Sequence, residues 1–439
     1  MPSGPRSALR FGAFYERLRY AEQWDAMWRG AGPDVVVAFD FAPIRLVSWR
    51  GTSYVPCWVT ENGNWFSNEF MERSVPLGCA ESMSDKQARY SSVRILESSD
   101  ARALIHWRYS HVDIDYRVPF PDSESGWGDW ADEYYTVYPD GVAVRKFTGW
   151  SDVPRQKGFL EWCQSLPILQ PGQRPEDVLD PSRFLTLANM KSEARTYRWP
   201  PRPEDYENSL PGANIQVVHF KSDYQPFLIL TDRQPKITLA RFKKRTSGEQ
   251  IQGMSMSSES AFWWWNHWPV AQLPSDGRVA SVPDRPSHSW TSTQDSAPWE
   301  TTTNSETQIM LCGLTRLGAR ELVSLAKSWL RAPEIRLSSN AYLSRGFDPA
   351  ERAYTISSSR EVGPALSLIL EAGAESPVLN PALVVQGWGE RPPRVFIGGK
   401  EAHRGADFRY GFERKLERTD LVVWFRIESI SPVSLRLEP

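Results

Sequence analysis

The feature that most constrains the fold is a succession of strand-length segments rich in Val, Ile, Tyr and Trp and separated by turn residues. They begin with DVVVAFDF at residue 34 and continue through VDIDYRV at residue 112 to VAVRKFTGW at residue 142. TENG and YPDG between them are strong turn signals. Apolar and polar residues alternate in several segments, which is typical of antiparallel sheet with one solvated face. The pattern predicts an all-β protein.

A chain of 439 residues is longer than one hydrophobic core normally covers, so we expect more than one domain. We interpret residues 1–30 as a helical lead-in and residues 31–333 as a large antiparallel β-sandwich, supersandwich-like, that carries the cleft. Within it, the Pro-rich segment 165–213 is expected to be an excursion with at most short helices. Short strands at regular spacing from residue 334 to residue 439 predict a small C-terminal β-sandwich.

One helix is predicted between the two sandwiches, in a chain with few other helices. The segment GARELVSLAKSWLRAP places Leu322, Leu325 and Ala326 on one face together with Leu330. Pro333 ends this helix.

Charge and hydropathy exclude two classes of partner. The formal net charge of −2 gives no electrostatic case for nucleic acid, since binding it requires a clustered basic face. No apolar run approaches the roughly 20 residues that a membrane-spanning helix needs. The outlier is tryptophan, with 20 residues. Such rings stack on the apolar faces of sugars, but a large β-core also consumes them, so both interpretations stay open.

The four cysteines are widely spaced and form no CxxC motif, which disfavours a zinc-finger type of site; they are Cys57, Cys79, Cys163 and Cys312. We expect buried free thiols, with a Cys57–Cys79 disulfide as the alternative if the protein is exported. The N-terminal segment MPSGPRSALRFGAFYERL has no apolar core of the kind found in signal peptides.

A first candidate site lies in HWRYSHVDIDYR, which holds two of the six histidines. On a strand, His106, Arg108 and Ser110 share one face, while the residues between them share the other. An Arg beside a His on an exposed face suits a carboxylate-bearing substrate. The competing interpretation is a solvated face with an ion pair to Asp113 or Asp115.

A second candidate is GWGDWADEYYTVYPDG, a glycine-containing loop that leads into a strand and concentrates acids with aromatic rings. Such a loop suits the lining of a sugar cleft, and two of its carboxylates at the right separation would suit glycoside hydrolysis. Its oxygen ligands also suit Ca²⁺, although the acidic spacing of an EF-hand is missing. A solvated acidic loop over packed rings is the competing interpretation.

A third candidate is FWWWNHWPVAQLPSDGR, residues 262–278, where polar and charged residues lie among four tryptophans. Buried polar groups are costly unless they pair with each other or with a ligand, so we favour a site here. On a strand, Asn266 and His267 fall on opposite faces. We therefore expect one of the two to line a cleft and the other to be held in the core.

Two chemistries fit these residues without a required cofactor, with a structural Ca²⁺ as an open option. In β-elimination from a uronate, a base removes the proton next to the carboxylate, other groups neutralise that carboxylate, and an acid protonates the leaving oxygen. In hydrolysis, two carboxylates act. The abundance of His, Tyr and Arg favours elimination. A GxSxG elbow and glycine-rich nucleotide motifs are missing, which disfavours serine hydrolases and Rossmann or P-loop enzymes.

The roles in elimination are assigned by residue type. The candidate base is His106 or His267. The candidate acids are Tyr134, Tyr135 and Tyr138. Carboxylate neutralisation is expected from Arg108, Arg145 and Asn266. The residues expected to bind substrate are Trp127, Trp130, Asp129, Trp264, Trp268, Arg278 and His288. The alternatives are a glycoside hydrolase that uses Asp129, Asp132 or Glu133, and a glycan-binding protein without catalysis.

Five phrases are long enough to be distinctive: RGTSYVPCWVTENGNWFSNEF, CAESMSDKQARYSSVRI, HWRYSHVDIDY, GWGDWADEYYTVYPDGVAVRK and WWWNHWPVAQLPSDGR. Through them, most of residues 35–439 resembles large secreted β-sandwich proteins of bacterial polysaccharide-utilisation systems. The resemblance implies a polysaccharide-lyase-like protein, of the kind that acts on uronate polymers such as ulvan. It also implies an acidic polysaccharide or oligosaccharide as substrate and a secreted or periplasmic location. It assigns no residue a role.

Overall fold

The structure is a computed structural model that describes residues 1–2, 10–27, 30–68, 70–75, 78–113, 115–151, 164–207, 209–239, 286–358 and 365–439. Strands dominate these residues, which confirms the predicted all-β, sandwich-like fold. The third candidate segment, residues 262–278, lies outside the described residues.

The strands up to residue 315 build two large sheets, apart from Arg73–Val75 and Gly78–Ala80, which pair with each other in a sheet of their own. The first of them, in chain order, are β1 (Gly12–Glu16), β2 (Asp34–Ala38), β3 (Arg45–Ser48), β4 (Pro56–Val59), β5 (Trp65–Ser67), β6 (Arg73–Val75), β7 (Gly78–Ala80), β8 (Ser92–Ser98), β9 (Ala103–Ser110), β10 (Trp130–Val137) and β11 (Val142–Trp150). The next are β12 (Gln164–Leu169), β13 (Leu185–Ala188), β14 (Ala194–Tyr197), β15 (Ile215–Val218), β16 (Gln225–Leu230), β17 (Lys236–Leu239), β18 (Ser287–His288), β19 (Ser292–Asp295), β20 (Glu300–Thr301) and β21 (Ser305–Thr315). The helices are α1 (Glu22–Met27), α2 (Pro175–Val178), α3 (Pro203–Glu207) and α4 (Leu322–Leu330).

The two sheets are antiparallel and pack against each other. The first sheet has the strand order β1-β2-β3-β4-β5-β12-β19-β17, with β18 paired to β12. The second has the order β14-β13-β15-β16-β21-β11-β10-β9-β8, with β20 paired to β21. Inward side chains of both sheets, such as Val37 and Trp58 from the first and Trp107 and Met310 from the second, form one apolar core. This burial between layers is what stabilises a β-sandwich.

Helix α4 covers part of the outer face of the second sheet, the face turned away from the first sheet. Leu322, Leu325 and Trp329 of the helix share an apolar cluster with Val144 and Ile309 of the strands. The helix and its apolar face were predicted, and the prediction is confirmed. The helix therefore closes the β15, β16, β21 and β11 side of this face, and the β8 to β10 side carries polar residues instead.

The C-terminal strands form a smaller sandwich with its own core. They are β22 (Glu334–Leu337), β23 (Tyr342–Asp348), β24 (Ala353–Ser358), β25 (Leu366–Glu371), β26 (Val378–Leu379), β27 (Ala382–Gln386), β28 (Arg394–Ile397), β29 (Lys400–Glu401), β30 (Phe408–Arg414), β31 (Thr419–Phe425), β32 (Glu428–Ser429) and β33 (Val433–Glu438). One sheet has the order β22-β25-β33-β28-β29 and the other the order β23-β24-β27-β31-β30.

Charged and apolar contacts join the small sandwich to the large one. Arg102, just before β9, is buried and pairs with Glu97 at 2.6 Å and with Glu351 of the small sandwich at 3.0 Å. Arg352 of the small sandwich is also buried and pairs with Asp140 at 2.9 Å. An apolar cluster with members from both sandwiches lies beside these ion pairs.

Three expectations about segments need correction. Residues 12–16 of the helical lead-in form β1, which pairs with β2, because Phe11 and Ala13 pack into the core and fix the chain in an extended form. The Pro-rich segment is not an excursion, since β12 lies inside the first sheet with all its residues buried. VDIDYRV is not a strand, because Oδ1 of Asp113 accepts the backbone N–H groups of Asp115 and Arg117 at 2.8 and 2.9 Å and turns the chain.

Cys57 and Cys312 are buried thiols outside any disulfide, as expected, and burial raises the pKa of the Cys57 thiol. The alternative Cys57–Cys79 disulfide is therefore wrong, because Cys57 carries no bridge.

Candidate functional site

The outer face of β8 to β11 carries polar and aromatic side chains in rows that run across the strands. Alternation along β9 places His106 and Arg108 on this face while Trp107 and Tyr109 point into the core, as predicted. The Arg108 side chain is 49% exposed, whereas Trp107 is fully buried. We name this surface the polar face, and we define it by Arg94, His106, Arg108, Asp132, Tyr134 and Lys146.

His106 and Asp132 form a hydrogen-bonded dyad within the polar face. Nε2 of His106 lies 2.7 Å from Oδ1 of Asp132. The ring of Tyr134 stacks on the imidazole, with centroids 4.6 Å apart and planes inclined by 14°. The strand register explains this geometry. Tyr134 stands directly opposite His106, and Asp132 is the diagonal neighbour of His106. Both dyad side chains are 14% exposed, so they are largely shielded from water but still reachable by a ligand.

The surroundings of the dyad fix the protonation of its partners. Burial acts to raise the pKa of Asp132, but the hydrogen bond with His106 and the charge of Arg108 outweigh it and lower the pKa. Asp132 is therefore ionised at neutral pH and accepts a hydrogen bond from Nε2 of His106, which leaves Nδ1 as the other ring nitrogen of the dyad. Burial and the charge of Asp132 raise the pKa of Tyr134, so its hydroxyl keeps its proton.

Arg108 connects the dyad to the aromatic part of the site. Its Nε lies 3.8 Å from Oδ1 of Asp132, and its guanidinium carbon lies 5.1 Å from the centroid of the Trp130 ring. The competing interpretation placed the ion pair with Asp113 or Asp115, but Arg108 pairs with Asp132, because β10 runs beside β9 at this point. The guanidinium stays half exposed, so it is available to an anionic group.

Two further cations belong to the polar face and were not predicted. Arg94 of β8 stands opposite His106, and Lys146 of β11 stands opposite Tyr134. Alternation within SVRILES and VAVRKFTGW would have placed both on exposed faces. Only the register between strands brings them into one row with the dyad, and the sequence does not state that register.

A cavity of about 680 Å³ opens beside Arg108. Trp127 and Trp130, both expected to bind substrate, line it, and Trp127 is 57% exposed. Ser110 also lines the cavity, but its side chain is buried and donates to the carbonyl oxygen of Asp129 at 2.9 Å. The cavity and the dyad share Arg108, so they form one continuous surface.

Some predicted site residues lie inside the sandwich. Arg145 is fully buried and donates from Nε and Nη2 to Glu133 at 2.7 and 2.8 Å. Tyr135 donates to the same carboxylate at 3.0 Å. These residues alternate with Tyr134 and Lys146 along β10 and β11, so they must face inward. Arg145 and Tyr135 are therefore removed from the predicted site, since neither reaches the polar face.

Three more predicted residues are placed elsewhere. Asp129 is buried in an ion pair with Arg73. Tyr138 is buried and donates to the carbonyl oxygen of Glu351 at 2.5 Å, at the junction with the small sandwich. His288 is 2% exposed and belongs to β18 of the first sheet. Their contacts hold strands and sandwiches together, so these side chains cannot contact a ligand on the polar face.

The remaining predicted site residues lie outside the described residues; they are Trp264, Asn266, His267, Trp268 and Arg278. In the described part of the chain, no group of three or more His, Cys, Asp or Glu side chains is placed to hold a metal ion. None of the described helices is long and apolar enough to cross a membrane.

Comparisons with known proteins give little similarity. No protein-family model matches the chain, and no curated protein sequence matches it. A galactose 1-epimerase from Lactobacillus acidophilus NCFM is similar over 70% of this chain and 99% of its own, with a TM-score of 0.28 and 7% identity. An alpha-mannosidase from Enterococcus faecalis V583 is similar over 88% of this chain and 41% of its own, with a TM-score of 0.31 and 7% identity. Similarity of this size carries no argument about function.

Proposed function

We propose that the polar face is the active site of a carbohydrate-active lyase that cleaves an acidic polysaccharide or oligosaccharide by β-elimination. The observation that carries the proposal is the His106–Asp132 dyad, stacked against Tyr134 and flanked by Arg108. Two neighbouring strands thereby supply a base, the group that orients it, an acid and a cation.

His106 is the proposed base. With Nε2 held by Asp132, Nδ1 takes the proton from the carbon next to the substrate carboxylate. The electron pair of that C–H bond moves into the carboxylate as an enolate. It then forms the carbon–carbon double bond as the bond to the glycosidic oxygen breaks. The negative charge of Asp132 stabilises the imidazolium that forms.

Tyr134 is the proposed acid. Its raised pKa keeps the hydroxyl protonated until the leaving glycosidic oxygen takes that proton. Because its ring stacks on His106, the acid and the base lie on the same side of a bound sugar chain. After release of the products, exchange with water returns a proton to the phenolate and removes one from the imidazolium.

Arg108 is the proposed neutraliser of the substrate carboxylate. A guanidinium binds a carboxylate through two parallel hydrogen bonds, which favours the enolate form during proton removal. Arg94 and Lys146 add positive charge on either side of the dyad. The polar face therefore attracts an acidic polymer as well as activating it.

The geometry disfavours hydrolysis by a carboxylate pair. Asp129 and Glu133 both point into the sandwich and form buried ion pairs with arginines. Within the described segment 129–133, Asp132 is thus the one carboxylate on the polar face. A glycosidase needs two carboxyl groups that flank the scissile bond.

The test is incubation with a panel of uronate polymers that includes ulvan, followed by the ultraviolet absorbance of the unsaturated uronate product. His106→Ala is expected to lower the rate at least about 100-fold, and Tyr134→Phe at least about tenfold, because each removes a proton-transfer group. The matched control is His403→Ala on the small sandwich, where the His403 side chain is 86% exposed. This variant is expected to keep the full rate.

Two results would contradict the lyase proposal. New reducing ends without ultraviolet absorbance would indicate hydrolysis, and binding without either signal would indicate a glycan-binding protein. A rate that persists in His106→Ala would remove His106 as the base.

A further inference from the structure

The cavity beside the dyad is large enough for a ligand of its own. Its volume of about 680 Å³ falls within the range of roughly 300–1,000 Å³ typical of small-molecule sites. Arg108 belongs to both the cavity wall and the polar face, and it follows His106 by two positions on the same side of β9. Two such positions are roughly 7 Å apart. The cavity therefore begins about one sugar residue away from the proposed base.

Arg89 brings a second guanidinium to the cavity wall, and two contacts orient it. Its guanidinium carbon lies 4.5 Å from the centroid of the Tyr116 ring, and its Nε donates to Oε1 of Gln87 at 2.9 Å. Its terminal amino groups have no hydrogen-bond partner among the described residues. A guanidinium held by stacking and by Nε loses little conformational freedom when its other edge binds a carboxylate.

Trp127 is presented to the cavity by a closed loop. The backbone N–H of Asp122 donates to the carbonyl oxygen of Trp127 at 2.7 Å, and the N–H of Ser125 donates to Oδ1 of Asp122 at 2.7 Å. Gly128 lies so close to Pro119 that an added Cβ would be 2.3 Å from its carbonyl oxygen. The ring is thus exposed while its backbone is anchored. That arrangement suits a platform for a sugar ring better than a core position.

The described residues of the cavity wall are cationic in balance. Among them, Arg89 and Arg108 contribute two positive charges and Asp122 contributes the one carboxylate. Hydrogen bonds from Ser125 and from the backbone of Glu124 lower the pKa of Asp122, so its charge is engaged within its own loop. The remaining wall offers indole rings and serine hydroxyls, which complement the apolar face and the hydroxyl groups of a sugar.

We infer that this cavity is a subsite for a carboxylate-bearing sugar residue, adjoining the residue that undergoes elimination. Its carboxylate binds Arg89, and its ring stacks on Trp127. The placement next to the cleaved residue rests on the proposed function, whereas the subsite itself rests on the cavity. The inferred substrate is then acidic at the neighbouring sugar as well as at the cleaved one.

The experiment measures binding by calorimetry in the His106→Ala background, in which turnover is slowed. The probes are tetrasaccharides of glucuronate, mannuronate and galacturonate, each compared with its carboxyl-reduced, uncharged form. Arg89→Gln is expected to weaken binding of a native tetrasaccharide at least about tenfold and to leave binding of the reduced form nearly constant. Trp127→Ala is expected to weaken binding of both forms, because stacking does not depend on charge.

The matched control is Arg316→Gln. Arg316 is likewise an exposed arginine near a tyrosine ring, 5.8 Å from the centroid of Tyr224. It follows Thr315 at the end of β21, whereas the cavity residues Ser110 and Trp130 are in register with the Ser305 end. Arg316→Gln is expected to leave the affinities for the native and the reduced tetrasaccharide unchanged.

The outcomes separate the subsite from the lyase. Absence of binding by every native tetrasaccharide, or an Arg89→Gln effect that is equal for the native and reduced forms, overturns the subsite. Turnover with the same KM in Arg89→Gln also overturns it while leaving the lyase in place. Arg89-dependent binding without any unsaturated product from the unmodified protein supports the subsite and refutes the lyase.

Discussion

At the scale of single residues, Asp132 has two roles in the candidate site. It orients His106 through the 2.7 Å hydrogen bond, and it raises the pKa of Tyr134 after the larger effect of burial. Its own pKa is lowered because the contacts with His106 and Arg108 outweigh its burial. One carboxylate thus orients the proposed base and raises the pKa of the proposed acid.

Asp132 makes stability depend on pH. Its folded-state pKa lies below the ordinary value of about 4, so its charge stabilises the fold above that pH and the effect is lost as the pH falls through the lowered pKa. Asp132→Asn is expected to lower the free energy of unfolding at pH 7 by about 1 kcal/mol or less, since the pair is partly solvated. Urea unfolding of both proteins at neutral and at acidic pH should show the difference shrinking below about pH 4. A difference that grows in acid would contradict this assignment.

At the scale of elements, α4 packs on one part of the outer surface of the second sheet and leaves the polar face uncovered on the other. Leu325 of α4 is 4% exposed within the apolar cluster of that surface. Leu325→Ala is expected to lower the free energy of unfolding by about 2–5 kcal/mol, because it removes buried methyl groups and leaves a cavity. Ser324→Ala, at the neighbouring exposed position, is the control and should change it by less than about 0.5 kcal/mol. Equal effects would mean that α4 does not pack as described.

Sequence patterns predict these elements better than they predict the neighbours of each element. Alternation identified His106 and Arg108 as one face of a strand, and apolar spacing identified the helix. The same alternation places Tyr134 and Tyr135 on opposite faces of β10. It does not predict which of the two points outward, since an aromatic ring suits both the core and the polar face. Arg94 joined the site only through register, which depends on contacts far apart along the chain. The resemblance to polysaccharide-lyase-like proteins stays a prediction.

At the scale of the whole molecule, buried and exposed ion pairs hold the two sandwiches together with different strengths. Arg102→Ala is expected to lower the free energy of unfolding by about 3–5 kcal/mol, because it leaves Glu97 buried without its cation. Arg404 pairs with Asp100 at 2.8 Å across the same junction, but both side chains are more than half exposed. Arg404→Ala should therefore cost less than about 1 kcal/mol. Denaturant unfolding of the two variants tests this, and equal losses would contradict it.

The second sheet also has a consequence for how such a protein diversifies. On β10 and β11, inward Glu133 and Arg145 fix the strands, while outward Tyr134 and Lys146 belong to the polar face. The inward and outward residues occupy alternate positions. An outward residue can therefore be replaced without disturbing the buried Glu133–Arg145 ion pair. Under the proposed function, substrate preference can therefore change while the buried ion pair of the two strands is kept. The same spacing sets the limit, because a single residue inserted in β9 would move Ile105 or Trp107 into the position of His106.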